Sequence, residues 1–234
     1  MTVGVVLAAA GSGKRVAADG DATPKQWRLL AGVPLLVHAF RFLDALEATT
    51  EMVVALDPES LEMPERLAFL HSAHGKRVEV VGGAGSRQES VWHALRHVGT
   101  DVELALVHDA ARPFPPPLAV GRAIQGALAV GGAILAVRVS ETIKRVGPEG
   151  LIVETPDRTT LWAAQTPQVF GRAELLRAYR AAIAGGALAR FTDDASIFEA
   201  AGGKVRIVEG SRDNIKVTEP EDFARAERIL AARR

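Results

Sequence analysis

The feature that most constrains the fold is an alternation of short, almost entirely apolar runs with stretches of helical periodicity. The apolar runs cover residues 3–7, 52–56, 78–81, 104–107, 133–139 and 205–208. Such runs are typical of strands that are buried on both faces of a parallel sheet. Between them, apolar residues such as Leu36, Phe40 and Leu43 share one helical face. We therefore expect an α/β fold with a mostly parallel sheet and helices on both sides.

A hairpin interrupts this alternation. Residues 140–161 alternate apolar and polar side chains around the turn sequence Gly147-Pro148-Glu149-Gly150, a pattern that predicts two antiparallel strands. Because a lone hairpin is not stable in water, we expect residues 139–161 to form a β-arm that packs on another surface, such as a second subunit. Helices are expected near 172–183 and 193–201 and from Pro220 onward, with Thr218 or Glu219 as the cap. Residues 1–234 are interpreted as one domain.

The composition limits the partners that can be expected. Lys plus Arg and Asp plus Glu are equal at 28 each, so there is no general attraction to nucleic acid or to a membrane surface, and any anion site must be local. The longest uncharged apolar run, residues 126–137, is too short to span a bilayer, and the N-terminal run does not resemble a signal peptide. The absence of cysteine excludes disulfides and suits a cytoplasmic location.

A glycine-rich stretch with two cations, residues 11–15, follows the first strand, and Pro24-Lys25 comes ten residues later. A turn of this kind presents backbone N–H groups to phosphate, so we interpret it as a phosphate-binding loop. The alternative is a tight turn with solvated cations. A Walker A motif is excluded by Ala8 and Arg15, and the missing third glycine at Val16 disfavours a dinucleotide-binding dehydrogenase.

Further polar residues follow other predicted strands at the carboxyl edge of the sheet, where open α/β sheets bind ligands. Asp109 and Arg112 come directly after the run 104–107, and an aspartate there can hold a metal or a hydroxyl group, although a turn or capping role is also common. The small residues of 82–87 would let a flat base approach closely, or they form only a flexible loop. The stretch 212–218 offers another cation but in isolation resembles a surface loop.

Taken together, eight motifs identify the chain with a known family. They are AAGSGKR, PKQW, GGAGSRQESV, VHDAARPF, ETIKR, DRTTLWAAQTPQVF, TDDAS and EGSRDNIKVTEPED, in this order. The chain thus resembles the 2-C-methyl-D-erythritol 4-phosphate cytidylyltransferase (IspD) family over nearly its whole length. The resemblance implies a single Rossmann-like nucleotidyltransferase domain that moves CMP from CTP to methylerythritol phosphate in non-mevalonate isoprenoid synthesis. It also implies Mg²⁺ as cofactor and a homodimer joined through the arm.

The resemblance assigns roles position by position. The cations that stabilise the transition state or position the acceptor phosphate correspond to Arg15, Lys25, Arg158 and Lys216. The nucleotide contacts correspond to Ala9, Ala10, Gly11, Gly13, Lys14, Gly83 and Ser90. The acceptor contacts correspond to Asp109, Arg112, Thr142, Arg158, Thr192 and Lys216. Magnesium is expected to be held mainly by the CTP phosphates, with Asp109 as a further candidate ligand.

Some positions depart from the family pattern. Ala8 stands where proline is usual, eight residues separate Arg15 from Pro24, and GGAGSRQESV is one residue longer than usual, which leaves the base contact open between Ala84 and Gly85. Two other functions stay open: a ribitol-phosphate cytidylyltransferase and a nucleotide-binding regulatory module without catalysis. The motif HDAARP favours methylerythritol phosphate over ribitol phosphate, on resemblance alone.

Overall fold

The computed structural model describes residues 1–11, 23–73 and 75–233. The strands are β1 (Val3–Ala9), β2 (Leu29–Leu30), β3 (Val33–Pro34), β4 (Thr49–Leu56), β5 (Arg77–Gly82), β6 (Leu104–Asp109), β7 (Gly131–Arg138), β8 (Arg145–Val146), β9 (Ile152–Glu154), β10 (Trp162–Gly171) and β11 (Lys204–Glu209). Seven of them form the central sheet in the order β11-β7-β10-β6-β1-β4-β5. Each of the six predicted apolar runs lies in one of these strands, except that Val139 falls just beyond β7.

The sheet is parallel apart from β10, which runs antiparallel to both β6 and β7. The prediction of a mostly parallel sheet is confirmed, but β10 itself was not predicted. Its middle contains Gln165, Thr166, Pro167 and Gln168, whose polar side chains and missing N–H are unusual in a central strand. The structure accommodates them because the pairing with β7 shifts register between Ala164 and Gln168.

The helices are α1 (Leu35–Asp44), α2 (Pro58–Leu61), α3 (Pro64–Leu67), α4 (Arg87–Leu95), α5 (Pro117–Val130), α6 (Arg172–Ala184), α7 (Asp194–Ala200) and α8 (Pro220–Ala231). The apolar faces of α1 and α5 pack on one side of the sheet, and those of α4, α6 and α7 pack on the other. Along β1, Val5 and Leu7 belong to the first cluster and Val6 to the second, as the two-residue period of a strand requires. The predicted layers on both faces are therefore present.

The C-terminal part of the chain is fastened beside the carboxyl end of β6. The Val217 N–H donates to the carbonyl of Ala111 at 2.8 Å, and Ile215 and Val217 enter a third apolar cluster with α8. Glu219 is the N-cap of α8, one of the two predicted caps. This attachment brings the stretch 212–218, which resembled a surface loop in the sequence, next to the sheet edge where ligands bind.

The predicted hairpin is present, although its strands β8 and β9 are short. Its turn closes with a hydrogen bond from the Gly147 N–H to the Leu151 carbonyl at 2.9 Å. Leu151, Ile152 and Val153 are 65%, 61% and 63% exposed, so the arm leaves an apolar surface in solvent. Over the described ranges, no helix is both long and apolar enough to cross a membrane.

Candidate active site

A cleft of about 630 Å³ opens at the carboxyl edge of the parallel strands. Successive strand ends supply its walls, as expected for a ligand site in an open α/β sheet. The lining residues are Ala8–Gly11 at the end of β1, Lys25 and Gln26, Asp57 and Pro58 after β4, Ala84–Arg87 and Ser90 after β5, Asp109–Ala111 at the end of β6, and Lys216 and Thr218. The cleft therefore brings together Ala9, Ala10, Gly11, Lys25, Ser90, Asp109 and Lys216, all of which are predicted site residues.

Gly83 lies directly behind this lining. A Cβ atom at Gly83 would stand 2.0 Å from the Cβ of Ala10, and the Gly83 N–H donates to the Leu56 carbonyl at 2.7 Å. The turn that contains Gly83 and the turn that contains Ala10 are thus so close together that only glycine, which has no side chain, fits at position 83. The predicted nucleotide residue Gly83 supports the cleft wall from behind and does not line the cleft.

We expect Gly83→Ala to displace the Ala10 turn and to raise the KM for CTP, the nucleotide expected from the resemblance, by about 10-fold or more, because inserted methyl groups force backbone shifts in tightly packed sites. The matched control is Gly121→Ala on an exposed face of α5, where an added Cβ would meet nothing within 4 Å. Steady-state kinetics and thermal unfolding of both variants provide the measurement. An unchanged KM in folded Gly83→Ala protein would contradict the role of this close approach.

The loop before α4 is shaped by two serines. Ser86 is the N-cap of α4 and accepts a hydrogen bond from the Glu89 N–H. The buried Ser90 hydroxyl accepts from the Ala84 N–H at 2.9 Å and donates to the Ser86 carbonyl at 2.8 Å. Because its proton is committed to that carbonyl, the Ser90 oxygen can only accept a further hydrogen bond from a ligand. Ala84 and Gly85 both line the cleft, so the base contact stays open between these two residues.

Lys25 is presented to the cleft by an anchored segment. The Gln26 Nε2 donates to the carboxylate of Asp57 at 2.8 Å, and the Trp27 indole N–H donates to the Ser60 hydroxyl at 2.7 Å. Asp57 is also the N-cap of α2, so the same short helix holds both bonds. The sequence indicated Lys25 but gave no sign of its anchors, since Asp57 lies 31 residues from Gln26.

Asp109 is the electrostatic centre of the cleft. Its Oδ1 accepts from the Arg87 Nε at 2.8 Å, and its Oδ2 accepts from the Lys216 ammonium at 2.7 Å. Burial alone would raise the pKa of Asp109, but the two cations outweigh it and hold the pKa far below the usual range. Asp109 is therefore a carboxylate at any physiological pH.

Arg87 continues this network away from the cleft. Its Nη2 donates to Asp194 at 2.8 Å, and the same carboxylate accepts from the Tyr179 hydroxyl at 2.5 Å. Asp194 and Tyr179 are fully buried. Sequence reasoning assigned no role to these three residues. The one available signal was a cation at the first position of α4, where the helix dipole disfavours positive charge.

His108 is a structural residue. It is fully buried, its Nε2 donates to the Arg112 carbonyl at 2.9 Å, and its Nδ1 accepts from the Thr166 hydroxyl at 2.9 Å. Burial lowers the pKa of His108 to about 4, so the ring is neutral at pH 7. With both nitrogens engaged inside the protein, His108 offers no proton to a ligand.

The other predicted residues lie outside the cleft or outside the described ranges. Arg112 donates to the Asn214 carbonyl at 2.7 Å and supports the 212–218 stretch. Thr142 and Arg158 are exposed on the arm, with Arg158 Nη1 donating to the Ser140 carbonyl at 2.9 Å. Thr192 is exposed just before α7. The predictions for Gly13, Lys14 and Arg15 concern residues that the structure does not describe.

The cleft can contribute only a limited set of metal ligands. Among residues 1–11, 23–73 and 75–233, no three His, Cys, Asp or Glu side chains are grouped to hold a metal ion. Within these same ranges two carboxylates line the cleft, and that of Asp57 already accepts bonds from Gln26 and Ser60. Both oxygens of Asp109 also accept, from Arg87 and from Lys216, so a hard divalent cation would fit here if a ligand supplied most of the oxygen atoms and Asp109 added one through a remaining lone pair.

Small-residue turns and fixed cations at the carboxyl edge of a mostly parallel sheet define an α/β protein built to bind a phosphorylated nucleotide. The family model described as IspD, 2-C-methyl-D-erythritol 4-phosphate cytidylyltransferase, matches residues 3–232. The chain therefore belongs to the 2-C-methyl-D-erythritol 4-phosphate cytidylyltransferase family, and the resemblance seen in the sequence is confirmed.

Individual relatives agree with this assignment. The chain is 42% identical to a 2-C-methyl-D-erythritol 4-phosphate cytidylyltransferase from Symbiobacterium thermophilum, over 97% of this chain and 92% of the relative. It is 43% identical to one from Cereibacter sphaeroides, over 99% of this chain and 98% of the relative. The crystal structure of the enzyme of that name from Thermus thermophilus superposes with a TM-score of 0.76 at 30% identity, covering 99% of this chain and 100% of the other.

Proposed function

We propose that the chain transfers CMP from CTP to 2-C-methyl-D-erythritol 4-phosphate, giving 4-diphosphocytidyl-2-C-methyl-D-erythritol and pyrophosphate in non-mevalonate isoprenoid precursor synthesis. Family membership supports the reaction. The observation that carries it in the structure is the Asp109–Lys216 pair, which faces the same cleft as the Ala9–Gly11 turn and Lys25. An anionic nucleotide and an anionic acceptor both need such a mixture of bare backbone and fixed cations.

The acceptor phosphate attacks the α-phosphorus of CTP, and pyrophosphate leaves. A phosphate monoester with a second pKa of about 6 is mostly dianionic at neutral pH, so the nucleophile needs no general base. The neutral, internally bonded His108 is consistent with this. The obstacle is the repulsion between two anions, and preorganised cations reduce it most when they face the charge that develops in the transition state.

The cations have different tasks in this proposal. Lys25, together with Arg15, would stabilise the charge that develops on the phosphates of CTP. Lys216 and Arg158 would hold the acceptor phosphate, while Asp109, Arg112, Thr142 and Thr192 would contact the acceptor. Mg²⁺ or another divalent cation would be held mainly by triphosphate oxygens, with Asp109 as a candidate further ligand, and when bound it would neutralise and orient the triphosphate. A cytoplasmic location stays a prediction from the cysteine-free composition.

The arm supports a second proposal, a homodimer in which each arm reaches the partner's cleft. The apolar side chains of Leu151, Ile152 and Val153 are exposed, and a short hairpin with such a surface is stabilised by pairing with its twin across a two-fold axis. Thr142 and Arg158 are then available to a cleft other than that of their own chain. Residues 139–161 would be the dimerisation element of a single 1–234 domain.

The proposed reaction is tested by measuring pyrophosphate release from CTP with purified protein, Mg²⁺ and one alcohol phosphate at a time. We expect release with 2-C-methyl-D-erythritol 4-phosphate and none when the acceptor is omitted. A higher kcat/KM with ribitol 5-phosphate would replace the proposal with the ribitol-phosphate alternative. Tight CTP binding without any turnover would instead favour a regulatory module.

CTP should be preferred over UTP by at least about 10²-fold in kcat/KM, because a site that pairs buried polar groups with a base rejects an analogue that leaves them unpaired. The Ser90 oxygen can accept from the amino group of cytosine but can donate nothing to the carbonyl of uracil. Ser90→Ala should lose much of this discrimination. Comparable kcat/KM values for CTP and UTP in the unmodified protein would contradict the prediction.

A further inference from the structure

Arg87 connects a carboxylate inside the cleft to one outside it. Its Nε donates to Asp109 at 2.8 Å, and its Nη2 donates to Asp194 at 2.8 Å. Asp109 lines the cleft, whereas Asp194 lies beneath it at the start of α7 with a fully buried side chain. A single guanidinium thus bonds one carboxylate at the ligand-binding edge of the sheet and one in the protein interior. The planar guanidinium of arginine, with several N–H donors in fixed directions, can do this better than the compact ammonium of lysine.

The position of this cation is electrostatically unfavourable unless both carboxylates are present. Arg87 is the first residue of α4, where the helix dipole repels positive charge. Burial lowers the pKa of Arg87, but Asp109 and Asp194 together reverse this effect and raise the pKa above its ordinary value. The two carboxylates and the two cations Arg87 and Lys216 form a network whose formal charges sum to zero.

The outer end of the network is anchored in the core. Asp194 accepts from the Tyr179 hydroxyl at 2.5 Å, and the Tyr179 ring stacks on Trp92 of α4 with ring centroids 6.0 Å apart. Tyr179 belongs to α6 and Asp194 to α7, so three helices converge on Arg87. Close-packed groups of this kind have little freedom to move, and they hold the guanidinium in one orientation.

We propose that Arg87 is a positioning residue. Asp194, which is itself hydrogen-bonded to Tyr179, holds the Arg87 guanidinium in place. Arg87 in turn fixes the orientation of the Asp109 carboxylate and, through it, the position of the Lys216 ammonium. Arg87 restrains Oδ1 of Asp109 and Lys216 restrains Oδ2, so the plane of the carboxylate is set from both sides. Without Arg87, the buried Asp194 would lose its ion pair with the guanidinium, and Asp109 would keep Lys216 but lose the second of its two cations, next to a site that must admit two anions. This inference rests on the proposed function, because it concerns the same cleft and the same transfer reaction.

The test uses three variants at increasing distance from the cleft: Arg87→Lys, Asp194→Asn and Tyr179→Phe. Arg87→Lys should lower kcat by about 10–100-fold, the range found when a supporting partner of a functional ligand is lost, and the two remote variants should lower kcat by progressively smaller factors. The matched control is Arg172→Lys. Arg172 is also the first residue of a helix, α6, and its guanidinium donates twice to the Val98 carbonyl, but it does not line the cleft.

A double-mutant cycle separates positioning from general destabilisation. In an Asp109→Asn background, Arg87→Lys and Asp194→Asn should change the residual kcat by less than about 2-fold, because their effect passes through the missing carboxylate. The Arg172→Lys control should keep kcat within about 2-fold in both backgrounds. Full and independent losses for Arg87→Lys and Asp194→Asn in the Asp109→Asn background would overturn the proposal. If Arg87→Lys unfolds, Asp194→Asn and Tyr179→Phe decide the same question.

Failure of the proposed reaction would be visible separately, as an absence of pyrophosphate release from the unmodified protein. The Arg87–Asp109 interaction is then tested by a double-mutant cycle in which the equilibrium constant of unfolding is measured for each variant. This measurement needs no substrate. We expect Arg87 and Asp109 to be coupled by at least about 3-fold in that constant, as contacting charged residues are. Strict additivity of the two substitutions would overturn the inference.

Discussion

Lys25→Ala is expected to lower kcat by about 10²–10³-fold while changing the KM for CTP much less, the loss typical of removing one preorganised donor to a transition state. The physical reason is the anchoring of its segment. Gln26 is bonded to Asp57 and Trp27 to Ser60, so the cation is presented to the cleft without reorganisation during the reaction. Pyrophosphate release under saturating CTP and acceptor gives kcat directly.

Lys204→Ala provides the matched control, because Lys204 is an exposed lysine on the edge strand β11, outside the cleft. Its kcat and KM should both stay within about 2-fold of the unmodified values, as for most surface substitutions. A Lys25→Ala protein that keeps its kcat and loses only affinity for CTP would show that Lys25 binds ground-state phosphate and does not act in the transition state.

Mixed dimers should recover activity that neither parent has. Lys25→Ala chains and Arg158→Ala chains are each expected to be nearly inactive, because each lesion reaches both sites of a homodimer. If Arg158 acts in the partner's cleft, a heterodimer has one doubly damaged site and one intact site. An equimolar mixture that exchanges freely should then reach about a quarter of the unmodified specific activity, since half of its dimers are mixed and half of their sites are intact.

A second pairing supplies the control. Lys25 and Lys216 line the same cleft of one chain, so mixing Lys25→Ala with Lys216→Ala should restore nothing. Differently tagged chains show whether subunits exchange. No recovery in an exchanging mixture of Lys25→Ala and Arg158→Ala would show that the two residues serve one chain, and a fully active monomer would contradict the dimer.

Much of the fold was predictable because burial leaves a local trace. Strands covered on both faces, such as β1 and residues 52–56 of β4, must be apolar at nearly every position, and the sequence shows this directly. Strand β10 was missed because Gln165, Thr166 and Gln168 are buried through specific hydrogen bonds, for example from Asn214 to the Gln165 side chain at 3.1 Å. When the hydrogen-bond partners of buried polar side chains lie far away in the sequence, the sequence of the strand itself does not reveal that these side chains are buried.

The candidate site shows the same division. Motif order indicated Lys25, Asp109, Ser90 and Lys216, and the structure gathers all four around one cleft. The resemblance could not show which side chains hold them in place. Arg87 and Asp194 are 107 residues apart, as are Asp109 and Lys216. Helical and strand periodicity relates only residues that are close in the sequence, so it could not predict either contact.

The sequence by itself determined the α/β class, the mostly parallel sheet, the hairpin arm and the family, because hydrophobic periodicity, turn residues and motif order are properties of neighbouring residues along the chain. Only the tertiary structure decided that the stretch 212–218 lies against β6, that Asp109 is held between Arg87 and Lys216, and that Asp194 and Tyr179 stand behind Arg87. These contacts depend on packing and charge compensation between remote segments, which become neighbours only when the sheet and its helices have assembled.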